Sequence, residues 1–158
     1  MIRRFWKKFQ QVLKNSLLQG ITPEQLSLTI TLGILFGIIP VIGVTTLLLA
    51  IIAIRFKLNM VVIQLTNFAV YPLQLLLLVP FLKLGQIIFH GPVLETGFQQ
   101  IQQALISAPL KIFYHFWRLT VQGTVVWLVL SVPTGFILYH VILIPMRNFA
   151  KKKYTHYL

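Results

Sequence analysis

The chain has 158 residues, is 57% hydrophobic and only 10% charged, and has a mean hydropathy of +0.83. An ordinary globular chain is roughly 25% charged, so this one lacks the charge to coat a water-facing surface and reads as a membrane protein. Fourteen Lys and Arg stand against Glu24 and Glu95 alone, and the absence of Cys excludes disulfides, thiol catalysis and zinc–thiolate sites.

The first element, residues 1–20, reads as a basic amphipathic helix. At helical spacing Ile2, Phe5, Trp6, Phe9, Val12, Leu13 and Leu17 share one arc, with Arg3, Arg4, Lys7, Lys8 and Lys14 opposite; only Ser16 intrudes on the apolar side. Such a helix lies in a membrane interface, its five cations against anionic lipid, or docks on the protein's own membrane part. The net charge of +12 is assigned to lipid and not to nucleic acid, because basic residues flank apolar blocks and no nucleic-acid motif is present. The first apolar run begins only at Leu26 and continues for 29 residues, which does not fit a cleavable signal peptide.

Residues 21–91 read as a membrane core of two broken helical hairpins or spans. Gly20 stops the first helix, and Thr22, Pro23 and Gln25 predict a capping box with proline at the first helical position. Residues 26–54 in one straight helix would measure about 44 Å, too long for a hydrocarbon core of roughly 30 Å. Pro40 and Gly43 therefore predict a corner, with a descending arm to about Ile39 and a returning arm from about Val44 to Arg55. Gly33 and Gly37 form a GxxxG pair that lets another helix approach closely. Asn59 is the expected cap of a second block, 59–82, with breaks predicted at Tyr71-Pro72 and Pro80. Within it, Gln64, Thr66 and Asn67 need partners that lipid does not offer.

Residues 92–118 read as an amphipathic connector of two short surface helices. Leu94, Phe98, Ile101 and Leu105 recur at helical spacing; Pro109 ends that helix, and a second carries Phe113, Phe116 and Trp117. Residues 119–146 predict a transmembrane helix with a kink at Pro133 and Gly135, followed by a basic cytoplasmic tail, 147–158. With the first block reversing and the other two crossing, eleven basic residues share the cytoplasmic side; Lys83, Lys111 and Arg118 lie opposite. A rival arrangement also fits: all three apolar blocks dip in and return without crossing, the third turning back at Pro133. The fold class is thus all-α: a small polytopic integral membrane protein with Pro/Gly-broken hairpins, a basic amphipathic start and a final transmembrane helix.

The run from Pro23 to Gly91 resembles the bacterial membrane family catalogued as domain of unknown function 2062. The residues that carry the likeness are "GILFGIIPVIG", "RFKLN" with Arg55 and Asn59, and "TNFAVYPLQLLLLVPFLKLG" from Thr66 to Gly85. That family has a Gly-rich arm, a Pro-x-x-Gly corner, an Arg-x-x-x-Asn exit and a second motif with Asn directly before Pro. Here Tyr71 precedes Pro72, and the nearest Asn is Asn67. The resemblance implies a bacterial cytoplasmic membrane, with both termini cytoplasmic by the charge rule. Relatives that look fused to glycosyltransferase domains imply a link to envelope glycolipid or polysaccharide processes.

Catalytic tools are few. Glu24 and Glu95 lie in different connectors, His90, His115, His140 and His156 lack ligand spacing, and no Ser has a companion base nearby in sequence. The expectation is no enzyme, no cofactor and no metal. His140, an ionisable residue in an apolar span, is a site candidate by default, weighed against its reach to the interface near Arg147. The broken helices are the main functional hint: Gly33, Gly37, Pro40, Gly43, Tyr71 and Pro72 mark the breaks, and Asn59, Gln64, Thr66, Asn67 and His140 the polar lining. The first expectation is a non-catalytic scaffold or accessory protein, paired with itself or with another membrane protein. The second is a small transporter or lipid-translocating protein that uses the broken helices as its site; an enzyme subunit comes last.

Overall fold

The computed structural model describes residues 11–13, 15–16, 20–41, 43–90 and 109–154, and every regular element among them is helical. Four helices follow in chain order: α1 (Pro23–Gly37), α2 (Thr45–Arg55), α3 (Met60–Ile88) and α4 (Pro109–Tyr154).

Local chemistry sets the first boundaries. Gly20 lies at φ +88° and the Ile21 N–H closes back on the Ser16 carbonyl at 3.2 Å, a six-to-one closure that ends the turn before it. Thr22 Oγ1 then accepts from the Gln25 N–H at 3.2 Å while Gln25 Oε1 accepts from the Thr22 N–H at 3.4 Å, so the capping box forms with Pro23 behind it. The predicted corner is present. α1 stops at Gly37, Ile39 and Pro40 are buried in the turn, Gly43 takes φ +90°, and α2 runs back. The 15 and 11 residues of these arms rise only about 22 and 16 Å, each less than a bilayer core of roughly 30 Å. α2 ends on the same closure as before, Leu58 N–H to Ala53 carbonyl at 2.8 Å, with Lys57 at φ 52° in the place glycine usually takes. Asn59 Oδ1 accepts the Val62 N–H at 3.0 Å and starts α3 as expected.

Two expectations fail. The second block does not break at Tyr71-Pro72 or at Pro80; α3 is one helix of 29 residues that carries both prolines inside it. A proline removes one helical hydrogen bond, but reversing the chain also needs a residue free to adopt positive φ. Gly43 supplies that at the corner, whereas no glycine lies between Asn59 and Phe81. Likewise 109–118 is not a separate short helix but the first turns of the last one. Pro109 begins α4, which continues through Pro133, Gly135 and Pro145 into the basic tail as far as Tyr154. Gly135 serves close packing: a Cβ there would lie 2.7 Å from Leu35 Cδ1. The stripe at 94–105 lies outside the described residues, as do the five N-terminal cations.

α1 and α3 each contact all three of the other helices. The GxxxG pair of α1 seats this chain's own α3. A Cβ on Gly33 would meet Thr66 Cβ at 2.8 Å and the Ile63 carbonyl at 3.0 Å, and one on Gly37 would collide with Val70 Cγ2. A second seam joins α3 to α4, where a Cβ on Gly85 would lie 2.9 Å from the Gly123 nitrogen. The start of the chain docks on this bundle as well: Val12 and Leu13 pack against the Leu26, Ile30 and Val62 cluster, and Asn59 Nδ2 donates to Ser16 Oγ at 3.1 Å. Glu24 pairs with Arg147 at 2.9 Å at the same end of the bundle, so the start of α1 and the late turns of α4 meet there.

Polarity is inverted relative to a water-soluble fold. Ser27, Thr29, Thr31, Thr45, Thr66, Asn67, Gln74 and Gln122 are buried, while Leu76, Ile87, Val132 and Phe136 stand exposed. Met60–Ile88 and Phe113–Asn148 are long and apolar enough to cross a membrane, and only 28% and 17% of their most apolar windows are buried, unlike the core helix of a soluble protein. Because over-packing a tight seam costs about 1–3 kcal/mol, Gly37→Val should lower unfolding stability in detergent by that order. Leu76→Ala, on an exposed face, should shift it by less than about 0.5 kcal/mol in the same thermal or denaturant titration.

Candidate functional site

The corner between α1 and α2 takes the Ile39 and Val41 carbonyls out of either helix, and side chains around it donate to these and to neighbouring carbonyls at the two helix ends. Gln74, 1% exposed, donates from Nε2 to the Ile39 carbonyl at 2.8 Å, with the Val41 carbonyl at 3.5 Å. Trp127 on α4 donates its indole N–H to the Leu35 carbonyl at 3.0 Å and meets Phe36 edge-on, ring centroids 5.5 Å apart. Gln64 Nε2 donates to the Thr46 carbonyl at 3.0 Å in the first turn of α2, and Asn67 Nδ2 donates to Thr46 Oγ1 at 3.4 Å. Gln74 lies 14 residues into the 29 of α3, so the corner is held about 21 Å along a helix of about 43 Å.

Carbonyl partners only accept, so the amide groups of Gln64 and Gln74 must turn their nitrogens toward the corner. Their oxygens, Gln64 Oε1 and Gln74 Oε1, are buried without a donor, and so is Asn67 Oδ1. The Asn67 oxygen faces the Gly37 backbone, where a Cβ would come within 3.2 Å of it. The corner is therefore packed against a set of buried amide acceptors. Among the described residues no group of three or more His, Asp or Glu is placed to hold a metal ion.

The predicted lining is brought together only in part. Gln64 and Asn67 converge on Thr46, and Thr66 is buried against Gly33 with its hydroxyl donating to the Val62 carbonyl at 2.8 Å. Gly33, Gly37, Pro40 and Gly43 form the seam and the corner. Asn59 is at the end of the bundle as a cap, and Tyr71 and Pro72 are exposed on α3. His140 is exposed on α4, its Nδ1 2.9 Å from the Phe136 carbonyl and its ring tilted against that of Phe136, so it is not among the groups gathered at the corner. Gln74, Trp127 and Thr46 were missed. A lone Gln inside "YPLQLLLL", seven residues after Asn67 and so on its face, was the available signal.

At the end of the bundle the Glu24 carboxyl is held below its ordinary value, first by the backbone N–H at its own helix start and then by Arg147. With the folded value lowered, the stabilisation is present above the unfolded carboxylate range and fades as pH falls through the folded value. Both side chains are about half exposed, so the effect is small.

The chain matches the model of a family described as an uncharacterized protein conserved in bacteria (DUF2062) over residues 6–155. It belongs to that family. The match extends well beyond the 23–91 stretch that carries the sequence likeness and takes in the connector and the whole of the last span. No curated protein and no solved structure matches the chain.

Gln74→Leu strands the Ile39 carbonyl in a buried turn and should destabilise the folded chain by about 1–3 kcal/mol, read as a shifted unfolding midpoint in detergent. Glu24→Gln should lower stability near pH 8 by a small amount, leave it unchanged in acid below the folded value, and so flatten the acid limb of a stability–pH profile by that same small amount, as expected for a half-exposed pair.

Proposed function

We propose that this chain is a non-catalytic integral protein of the bacterial cytoplasmic membrane, acting as a scaffold or accessory to other membrane components, with both termini cytoplasmic. One observation carries the reading: the polar side chains of the core spend their donors on the chain's own backbone at the corner. They brace a shape and present no reactive constellation. α3 and α4 supply two spans, and the α1–α2 arms, each shorter than a bilayer core, form a re-entrant hairpin braced at mid-depth by Gln74. The Lys and Arg residues of the N-terminal segment, Arg55, Lys57 and Arg147 then share the cytoplasmic face and contact anionic lipid. A role in envelope glycolipid or polysaccharide handling is the context that the family likeness supports.

The acceptor oxygens of Gln64, Asn67 and Gln74 favour a second reading, a small transporter or lipid-translocating protein that uses the corner as its site. Purified protein in liposomes separates the two. Scaffolding expects no movement of lipid or ions beyond protein-free vesicles, while transport expects movement that Asn67→Leu abolishes. Lys14→Cys and Lys57→Cys, labelled in sealed cells with an impermeant thiol reagent, should react from the same face. Labelling from opposite faces would remove the re-entrant hairpin and the reading built on it.

A further inference from the structure

We propose that the groove between the end of α3 and the first turns of α4 binds one anionic phospholipid whose headgroup carries a hydroxyl, such as phosphatidylglycerol. The proposal rests on the membrane reading above and concerns the end of the bundle opposite Glu24 and Arg147.

The groove has a volume of about 380 Å³. Phe89, Trp117, Val121 and Val125 form its apolar walls, and Arg118 and Gln122 its polar ones. Arg118 and Gln122 are four residues apart on one helix, so they share a face one turn from each other. Arg118 is exposed and forms no ion pair among the described residues. Gln122 is 7% exposed, and its Oε1 accepts no hydrogen bond. The Gly85–Gly123 contact pins it there, because the backbone of Gln122 is pressed against α3.

This pattern is what an amphiphile of defined chemistry fits. A planar guanidinium pairs with phosphate oxygens in a fork. A buried amide oxygen without a partner calls for a hydrogen-bond donor one turn deeper, which the hydroxyls of a glycerol headgroup supply and a choline headgroup does not; the anionic charge beside Arg118 selects the glycerol lipid. Trp117 sets the groove at headgroup depth. Val125 follows on the same face about 10 Å beyond Arg118, a track for an acyl chain. A free phosphate would leave the valine track unused.

The test uses the full chain, purified in a mild detergent and presented with phosphatidylglycerol, phosphatidylcholine or inorganic phosphate, with bound species counted by native mass spectrometry. One phosphatidylglycerol should be retained in preference to phosphatidylcholine. Arg118→Gln should weaken that retention at least about tenfold, the loss of the charge-assisted fork to phosphate, with the helical circular dichroism unchanged. Gln122→Leu should reduce the preference between the two lipids, and Arg55→Gln, at the other end, should leave it intact. Equal retention of both lipids, indifference to Arg118→Gln, or displacement of the lipid by inorganic phosphate would each overturn the proposal. A chain that washes off membranes in alkaline carbonate sinks the membrane reading as well; one that stays embedded and is indifferent to lipid sinks only this site.

Discussion

A helix that ends in the buried middle of a bundle leaves carbonyls that no solvent reaches, and here side chains of α3 and α4 donate to those at the end of α1 and in the turn after it. Each such group left bare costs a few kcal/mol, enough to unfold a small protein if several accumulate. The indole of Trp127 covers the Leu35 carbonyl and the amide of Gln74 covers that of Ile39, and both donors are almost wholly buried. The hairpin is therefore not a unit that forms alone. Its corner exists because α3 and α4 bring donors to it.

The same requirement explains the glycines. For Gln64, Asn67 and Gln74 to reach the corner with short side chains, α1 must lie close to α3, and only a helix face without Cβ atoms permits that. Gly33 and Gly37 clear it at Thr66 and Asn67, while Gly85 and Gly123 do so between α3 and α4. The small-residue seams and the amide braces are one device: close backbones make the polar bonds short, and the bonds hold the backbones close. What remains outward is apolar over long stretches of α3 and α4, as lipid contact requires.

The two ends of the bundle differ. One gathers the chain start, the α2–α3 turn and the late turns of α4, tied by Ser16–Asn59 and Glu24–Arg147. The other carries Arg118, exposed aromatics and a groove with a buried acceptor at its base. The one end thus pairs its Arg147 with Glu24, while Arg118 at the other forms no ion pair among the described residues.

Local chemistry was legible from residue order. The capping box at Thr22, the Asn59 cap, the reversal at Pro40 and Gly43, the close-approach pair at Gly33 and Gly37 and the outward apolar character all follow from side-chain type at short spacing, because each acts within a turn or two of the backbone. Proline misled at Tyr71-Pro72 and Pro80, since its cost of roughly 3 kcal/mol is a local term that helix packing outweighs when no residue nearby accepts positive φ. The polar lining was half legible for a similar reason. Gln64 and Asn67 stand out as polar groups in an apolar block, but that Thr46 is their partner is a fact of the third dimension. So is the bond from Trp127 to a carbonyl 92 residues earlier, because which donor meets which orphaned carbonyl is set by how four helices pack and not by any spacing along the chain.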